Sequence, residues 1–331
     1  MAGRRVLLTG VSSYLGTEIA RSLAVDPEIE YVAGLDERPP RTRLEGVDFI
    51  EVDIRSSALT EIVSRARVDT VIHNKIVRRP GPGTSARAMH DVNVIGTLQV
   101  VAACERAGSV RAIVVRGSAG IYGAEPEAPQ FFTEELARLY PLRTRFQRDV
   151  GEIESLFDAF ARRNRDVVCT MLRYQPAIGP TLDTQITRYL SLPLVPTPLG
   201  YDPRIQLVHE RDAVDATLAA VRNPVRGAVN VAGPGTIGLA RLLRRAGRTA
   251  LPVPRPLFAT TTVAARRLGL ANISPDLRRL LLYGRAVDTT RLTEEVGYRP
   301  RFSTPEAVED WVRSRGGRRI ASAVGELLPG R

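Results

Sequence analysis

Lysine is nearly missing from this chain: of 47 Lys plus Arg residues, only Lys75 is a lysine. Every other fixed positive side chain is an arginine, whose guanidinium keeps its proton under biological conditions. Lys75 is therefore the one basic amine that burial can tune toward neutrality. Cysteine is almost as scarce. Cys104 and Cys169 sit in the apolar runs VVAACERAG and DVVCTMLR and read as reduced, buried thiols, which leaves no disulfide framework and no metal site. Aromatic residues make up 5% of the chain, and neither a helix-turn-helix nor an RNA-binding signature is present. The net charge of +11 is spread as short basic pairs, so no nucleic acid partner is expected, although a diffuse positive field helps to attract an anionic ligand. No apolar run reaches the ~18 residues of a membrane span. The start MAGRRVLLTG enters a strand-like run without a secretory pattern, so a cytoplasmic chain that engages no membrane is expected.

The chain's 331 residues, 44% of them hydrophobic, suffice for a large domain with a smaller one attached. The first half alternates β-branched apolar runs with amphipathic helical patterns, the signature of a doubly wound parallel sheet. Strands are predicted at 4–9, 31–36, 47–52, 68–73, 111–116 and 167–173, and the clearest helices at 86–107 and 146–163. After Pro176 the prolines cluster in LPLVPTPLGYDP and LPVPRPLF, and the elements shorten. This divides the chain into an α/β nucleotide-binding domain (1–175), a smaller substrate-binding part interleaved with the last sheet elements (176–316), and a tail (317–331) that forms a short helix or frays.

VLLTGVSSYLGTEIARSL reads as a strand, a tight glycine turn and a helix, in the order of a dinucleotide-binding unit. Gly10 makes the turn and Gly16 lets helix and strand approach, while Ser13, Tyr14 and Leu15 lie where a pyrophosphate meets the helix N-terminus. Ser13 stands where a third glycine is usual and narrows the approach. Asp36 ends the second strand, where a carboxylate accepts from an adenosine ribose and repels a 2′-phosphate, which favours NAD over NADP. Arg38, Arg41 and Arg43 nearby keep NADP in view.

With these residues the chain resembles the extended short-chain dehydrogenase/reductase superfamily, in its NAD-dependent epimerase/dehydratase branch. It is most similar there to a divergent actinobacterial group of nucleotide-sugar 4-epimerase-like proteins. Further landmarks follow in order: VDI with Asp53 and Ile54, VDTVIHN, NVIGT with Asn93, GSAGIYG with Ser118, LRYQPAIGP and LVHERDAV. The resemblance implies a Rossmann-type fold and NAD as cofactor, held by Gly10, Ser13, Tyr14, Leu15, Gly16, Asp36, Asp53, Ile54, Asn74, Lys75 and Asn93. It also implies a small-molecule substrate, with a nucleotide sugar as one candidate, and a homodimer.

The family's acid–base pair, a tyrosine and a lysine spaced YxxxK, has no counterpart. RFQRDVGEIESLF fits that helix with Phe146 in the tyrosine slot and Val150 in the lysine slot, and neither carries a usable proton. Ser118 remains as a group to polarise a substrate oxygen. Tyr122 and His209 read as structural, Asp212 as a cap or orienting group for the helix after it, and Arg78 and Arg79 as phosphate contacts. Lys75 follows the fourth strand, at the carboxyl edge where such sheets bind ligands. Three roles for it stand open: a ribose or phosphate contact, a proton shuttle replacing the lost pair, and an imine-forming amine. The leading expectation is an NAD-dependent enzyme acting on a hydroxyl or carbonyl through Ser118 and Lys75. The alternatives are a catalytically silent NAD-binding sensor and non-redox chemistry through Lys75.

Overall fold

A computed structural model describes residues 3–78, 85–258, 260 and 273–327, the side chains as far as residue 315. Six strands follow the predicted runs: β1 (Arg4–Thr9), β2 (Ile29–Asp36), β3 (Asp48–Glu51), β4 (Thr70–His73), β5 (Ala112–Ser118) and β6 (Val168–Tyr174). With Gly227–Val231 they form one seven-stranded sheet ordered Gly227–Val231, β6, β5, β4, β1, β2, β3. Every pairing in it is parallel. One face packs on helix α1 (Tyr14–Ala24) and the helix Glu210–Arg222 through Leu8, Ile19, Val114, Leu218 and Val229. The other packs Leu7, Val71, Ile113 and Met171 against Val100, Ile153 and Phe157. Both faces are apolar, as crossover connections in a parallel sheet require. The strand order reverses between β1 and β4, which opens a crevice at their carboxyl ends.

The predicted helix at 86–107 is not uniform. It runs as Ala86–His90, a π-helical turn Asp91–Ile95 and Gly96–Ala107. The turn carries Asn93, whose buried amide accepts from Val77 N at 2.7 Å and donates to Val77 O at 2.9 Å. A wide helical turn thus holds the loop that follows β4. The second predicted helix spans Arg145–Arg163, opened by a capping box between Thr144 and Gln147.

Beyond β6 the elements shorten. Leu194–Pro198 pairs with Thr249–Val253, and Arg204–Ile205 with Ile237–Gly238, so the proline-rich segments make small two-stranded ladders in which missing N–H groups are tolerated. They share a second apolar core with the helices Leu239–Arg245 and Pro275–Tyr283. The last helix, Thr304–Leu327, continues through most of the segment expected as a tail.

His73 ties the switch point together. Thr97 gives its own proton to Asn93 O, so His73 Nε2 donates to Thr97 Oγ1 (2.9 Å) and Nδ1 accepts from Thr9 Oγ1 (2.9 Å). Burial holds this imidazole neutral and depresses its pKa from 6.5 to about 4. The unfolded chain takes up the proton first, so the stability His73 contributes is intact above pH 6.5 and lost as the pH falls toward 4. Between pH 7 and 5 the unaltered protein should lose about 2 kcal/mol more than His73→Gln, read from urea unfolding at each pH. Equal losses in both proteins would refute a neutral His73.

Candidate functional site

Gly10 turns the chain after β1 with φ +72°, and a Cβ on Gly16 would meet Gly10 O at 2.1 Å, so helix and strand can meet only through glycine. Ser13 caps α1: its hydroxyl accepts from Gly16 N at 3.0 Å and donates to Gly10 O at 2.8 Å. Asn74, at the end of β4, donates to Gly10 O and Ser13 Oγ, and its own Oδ1 is buried without a hydrogen-bond partner among the described residues. The α1 amino terminus, the close glycine contact and this unanswered acceptor fit a pyrophosphate and its attached groups.

Asp36 is buried at the end of β2, with Oδ2 accepting from Ser12 N at 3.1 Å and Oδ1 from Glu37 N at 2.9 Å. Lys75 Nζ is ion-paired with Asp36 Oδ1 and lies 4.0 Å from Glu37. Of the three roles left open for Lys75, this pairing speaks for a contact beside the cofactor's ribose. The Lys75 backbone is held by Thr9 at the switch point, but its side chain runs toward the second strand because a buried carboxylate waits there.

One cavity of about 930 Å³ runs from Ser12, Ser13, Tyr14 and Leu15 to Ser118, Gly120 and Phe146, and Lys75 is not among its lining residues. Three of its lining residues are tied together by the buried Glu210, which accepts from Thr181 N and Oγ1, Leu182 N and the Tyr14 hydroxyl. The glycine loop is thereby fastened to the smaller part of the chain. At the far end, a Cβ placed on Gly120 would lie 3.1 Å from Ser118 Oγ and 3.6 Å from the Phe146 ring, so these two share a corner. Ser118 Oγ accepts from Gly120 N at 3.1 Å, which leaves its hydroxyl proton for another acceptor. Val150 is 2% exposed and packs with Ile121, Tyr122, Phe132 and Val287, away from any polar partner.

The corner is basic. Arg78 places its guanidinium carbon 5.8 Å from the Phe146 ring centroid. Burial, with Arg116 and Arg285 nearby, lowers the Arg78 pKa to about 9, and burial lowers that of Arg285 to about 10. Asp276 lines the same end and accepts from Thr144 Oγ1 at 2.7 Å. Burial raises its pKa, against the opposing pull of Arg285 and Arg78. Asp276 and Arg116 went unnoticed in the sequence. Asp276 resembles any acidic residue in a first helical turn, although an arginine ending the apolar run RAIVVR was a visible signal.

Other expected residues are not among the lining of this cavity. Ile54 is buried against Gly96, Asp53 is ion-paired with Arg55, and Asn93 braces the loop at Val77. Tyr122 donates to Asn230 at 2.7 Å and accepts from Arg173 at 2.9 Å. His209 stacks on Phe302 with 3.8 Å between centroids and bonds Asp310. Asp212 does not cap its helix: it accepts from Tyr298 Oη, Arg301 N and Phe302 N, anchoring the chain before the last helix. Arg79 lies outside the described residues. Among the described residues no group of His, Cys, Asp or Glu side chains could hold a metal, and no helix is long and apolar enough to cross a membrane.

The chain is 38% identical, over 94% of its length and 84% of the relative's, to an uncharacterized protein of Mycobacterium tuberculosis. Among solved structures it is similar to a dTDP-glucose 4,6-dehydratase of Bacillus anthracis in complex with NAD, at 14% identity and TM-score 0.72, covering 96% of this chain and 98% of that one. A UDP-glucuronic acid 4-epimerase of Bacillus cereus in complex with NAD aligns with TM-score 0.71 at 16% identity, over 94% of this chain and 99% of the other. These two likenesses concern the fold. Residues 6–232, from β1 through the last strand of the sheet, match the pattern of the NAD dependent epimerase/dehydratase family, and the chain belongs to that family.

Proposed function

We propose that this chain holds NAD along the Gly10–Gly16 loop and acts on a hydroxyl or carbonyl of a small polar metabolite at the Ser118–Phe146 corner. The observation that carries the reading is the single cavity joining the loop to that corner. Asp36 would take the adenosine ribose through its remaining lone pair, with Lys75 holding the carboxylate in place. The α1 amino terminus would take the diphosphate. Bound there, NAD supplies hydride acceptance and return. The relatives named for dTDP-glucose and UDP-glucuronic acid make a nucleotide sugar the first substrate class to try.

Ser118 would donate to the substrate oxygen, since Gly120 N orients its hydroxyl and no acceptor among the described residues takes its proton. Phe146 has no proton to exchange, Val150 sits in an apolar cluster, and Lys75 is committed to Asp36. The proton falls to Asp276, a cavity carboxyl whose pKa burial raises and whose position Thr144 fixes. Asp276→Asn should lower kcat about 100-fold or more with little change in KM, whereas Lys75→Met should alter NAD affinity and leave kcat within about threefold. The assay follows conversion of UDP-glucose or UDP-glucuronic acid by NAD-loaded protein, with the transient absorbance of reduced cofactor marking the hydride step. A collapse of kcat in Lys75→Met with Asp276→Asn unaffected would overturn the assignment. Val150's burial also favours a second reading, a protein that binds NAD without turnover, which predicts saturable NAD binding and no reduction with any sugar tried.

A further inference from the structure

Two enclosed arginines elsewhere in the chain are answered by carboxylates. Arg173 is paired with Glu154, and Arg279 with Glu125. At the Ser118–Phe146 corner the pattern breaks. Arg78 and Arg116 line the cavity, half-buried, and among the described residues neither guanidinium has an acceptor within hydrogen-bond or ion-pair distance. Arg285 donates only to neutral oxygens, Gly123 O at 3.1 Å and Gln175 Oε1 at 3.3 Å. Among the described residues Asp276 is the carboxylate acting on Arg78 and Arg285, which leaves the three arginines in formal excess over it by two positive charges.

Like charges gathered in a cleft with apolar walls repel one another, and the arrangement is relieved when an anion enters. The fork of a guanidinium matches a carboxylate or phosphate with two parallel hydrogen bonds. The three side chains come from different places. Arg78 follows β4, Arg116 precedes Ser118 by two residues on β5 and so shares its face, and Arg285 follows the helix Pro275–Tyr283. All three line the cavity that Ser118 also lines, whereas the cofactor's diphosphate belongs at Ser13–Leu15 on α1.

We propose that the ligand of this cavity carries an oxyanion, a phosphate or a carboxylate, gripped by Arg78 and Arg116 beside Ser118 and separate from the cofactor's own diphosphate. This deepens the functional reading above and rests on it for the placement of NAD. A nucleotide sugar would then qualify only if its sugar, or the position next to the reacting hydroxyl, bears an acid.

The test is isothermal titration of the full chain, saturated with NAD, with inorganic phosphate and separately with acetate. Phosphate should bind saturably at one site, and Arg116→Gln and Arg78→Gln should each weaken it about tenfold or more. Arg65→Gln, which removes the same charge from an 81% exposed position, should not. NAD affinity should stay within about threefold in all three variants. Acetate binding as tightly as phosphate assigns a carboxylate; a clear phosphate preference assigns a phosphoryl group. The proposal is overturned if both corner variants titrate like the unaltered chain, or if phosphate binds the chain only when NAD is left out, which would give these arginines to the cofactor. Should Arg116→Gln fail to fold, Arg78→Gln decides alone. Phosphate binding by an unaltered chain that binds no NAD would sink the functional reading and leave the anion site standing.

Discussion

Arg173→Met is expected to cost about 3–5 kcal/mol of stability, a large share of the ~5–15 kcal/mol by which a folded protein is favoured over its unfolded chain. Arg173 ends β6 with Nε on Glu154 Oε1 at 2.9 Å and a terminal nitrogen on Oε2 at 2.8 Å, both side chains 7% exposed. Its other terminal nitrogen reaches Tyr122 Oη at 2.9 Å and Glu134 O at 2.8 Å, so one guanidinium closes four hydrogen bonds. Methionine fills similar space but leaves Glu154 as a buried carboxylate without its partner. Burial already pushes the Glu154 pKa up against the pull of Arg173, so the orphaned carboxyl takes a proton and the loss stays within that range. Arg173→Met with Glu154→Leu should recover most of it, because replacing both halves of a buried pair removes the uncompensated charge. Urea unfolding reads both. A loss below about 1 kcal/mol in the single variant would mean the pair contributes little. The pair also bears on the site, since Glu154 lies on the helix that presents Phe146.

Gly16→Ala should weaken NAD binding about 100-fold, equivalent to about 2.7 kcal/mol. The added methyl would meet Gly10 O at 2.1 Å and Val11 Cα at 2.9 Å, both backbone atoms. The turn cannot give way cheaply, because Gly10 N donates to Leu35 O at 2.8 Å and Asn74 holds Gly10 O from the other side. Relief comes from tilting the start of α1 away from β1, which moves the N–H groups aimed at the diphosphate. Titration calorimetry measures the affinity, and circular dichroism shows whether the sheet and helices persist. Affinity within threefold of the unaltered chain would show that the loop does not hold the cofactor.

How much of the molecule is legible in its sequence follows the range of the forces involved. β1 and β6 came out within a residue because a buried parallel strand must be a continuous β-branched run, and the glycine loop because its turn admits few other residues. The π-turn at Asp91–Ile95 was invisible, since one extra residue in a turn hardly disturbs an apolar period. Lys75 was correctly placed at the carboxyl edge, yet its side-chain direction depended on a buried carboxylate 39 residues away. The basic corner was least legible. Arg78 was legible as a phosphate contact, but Arg116 is unremarkable among many arginines until the fold gathers it with Arg78 and Arg285, and Asp276 gains meaning only from the cavity it faces.

The central claim is that the loop-to-corner cavity belongs to a cofactor and its substrate even though Phe146 and Val150 stand where the proton relay is expected. The most direct measurement is the one underlying the Gly16 comparison: native mass spectrometry and NAD titration of the unaltered full chain. The account predicts one NAD per chain, retained on purification or bound saturably on addition, and lost in Gly16→Ala. A folded chain that neither carries nor binds NAD at millimolar concentration would contradict it.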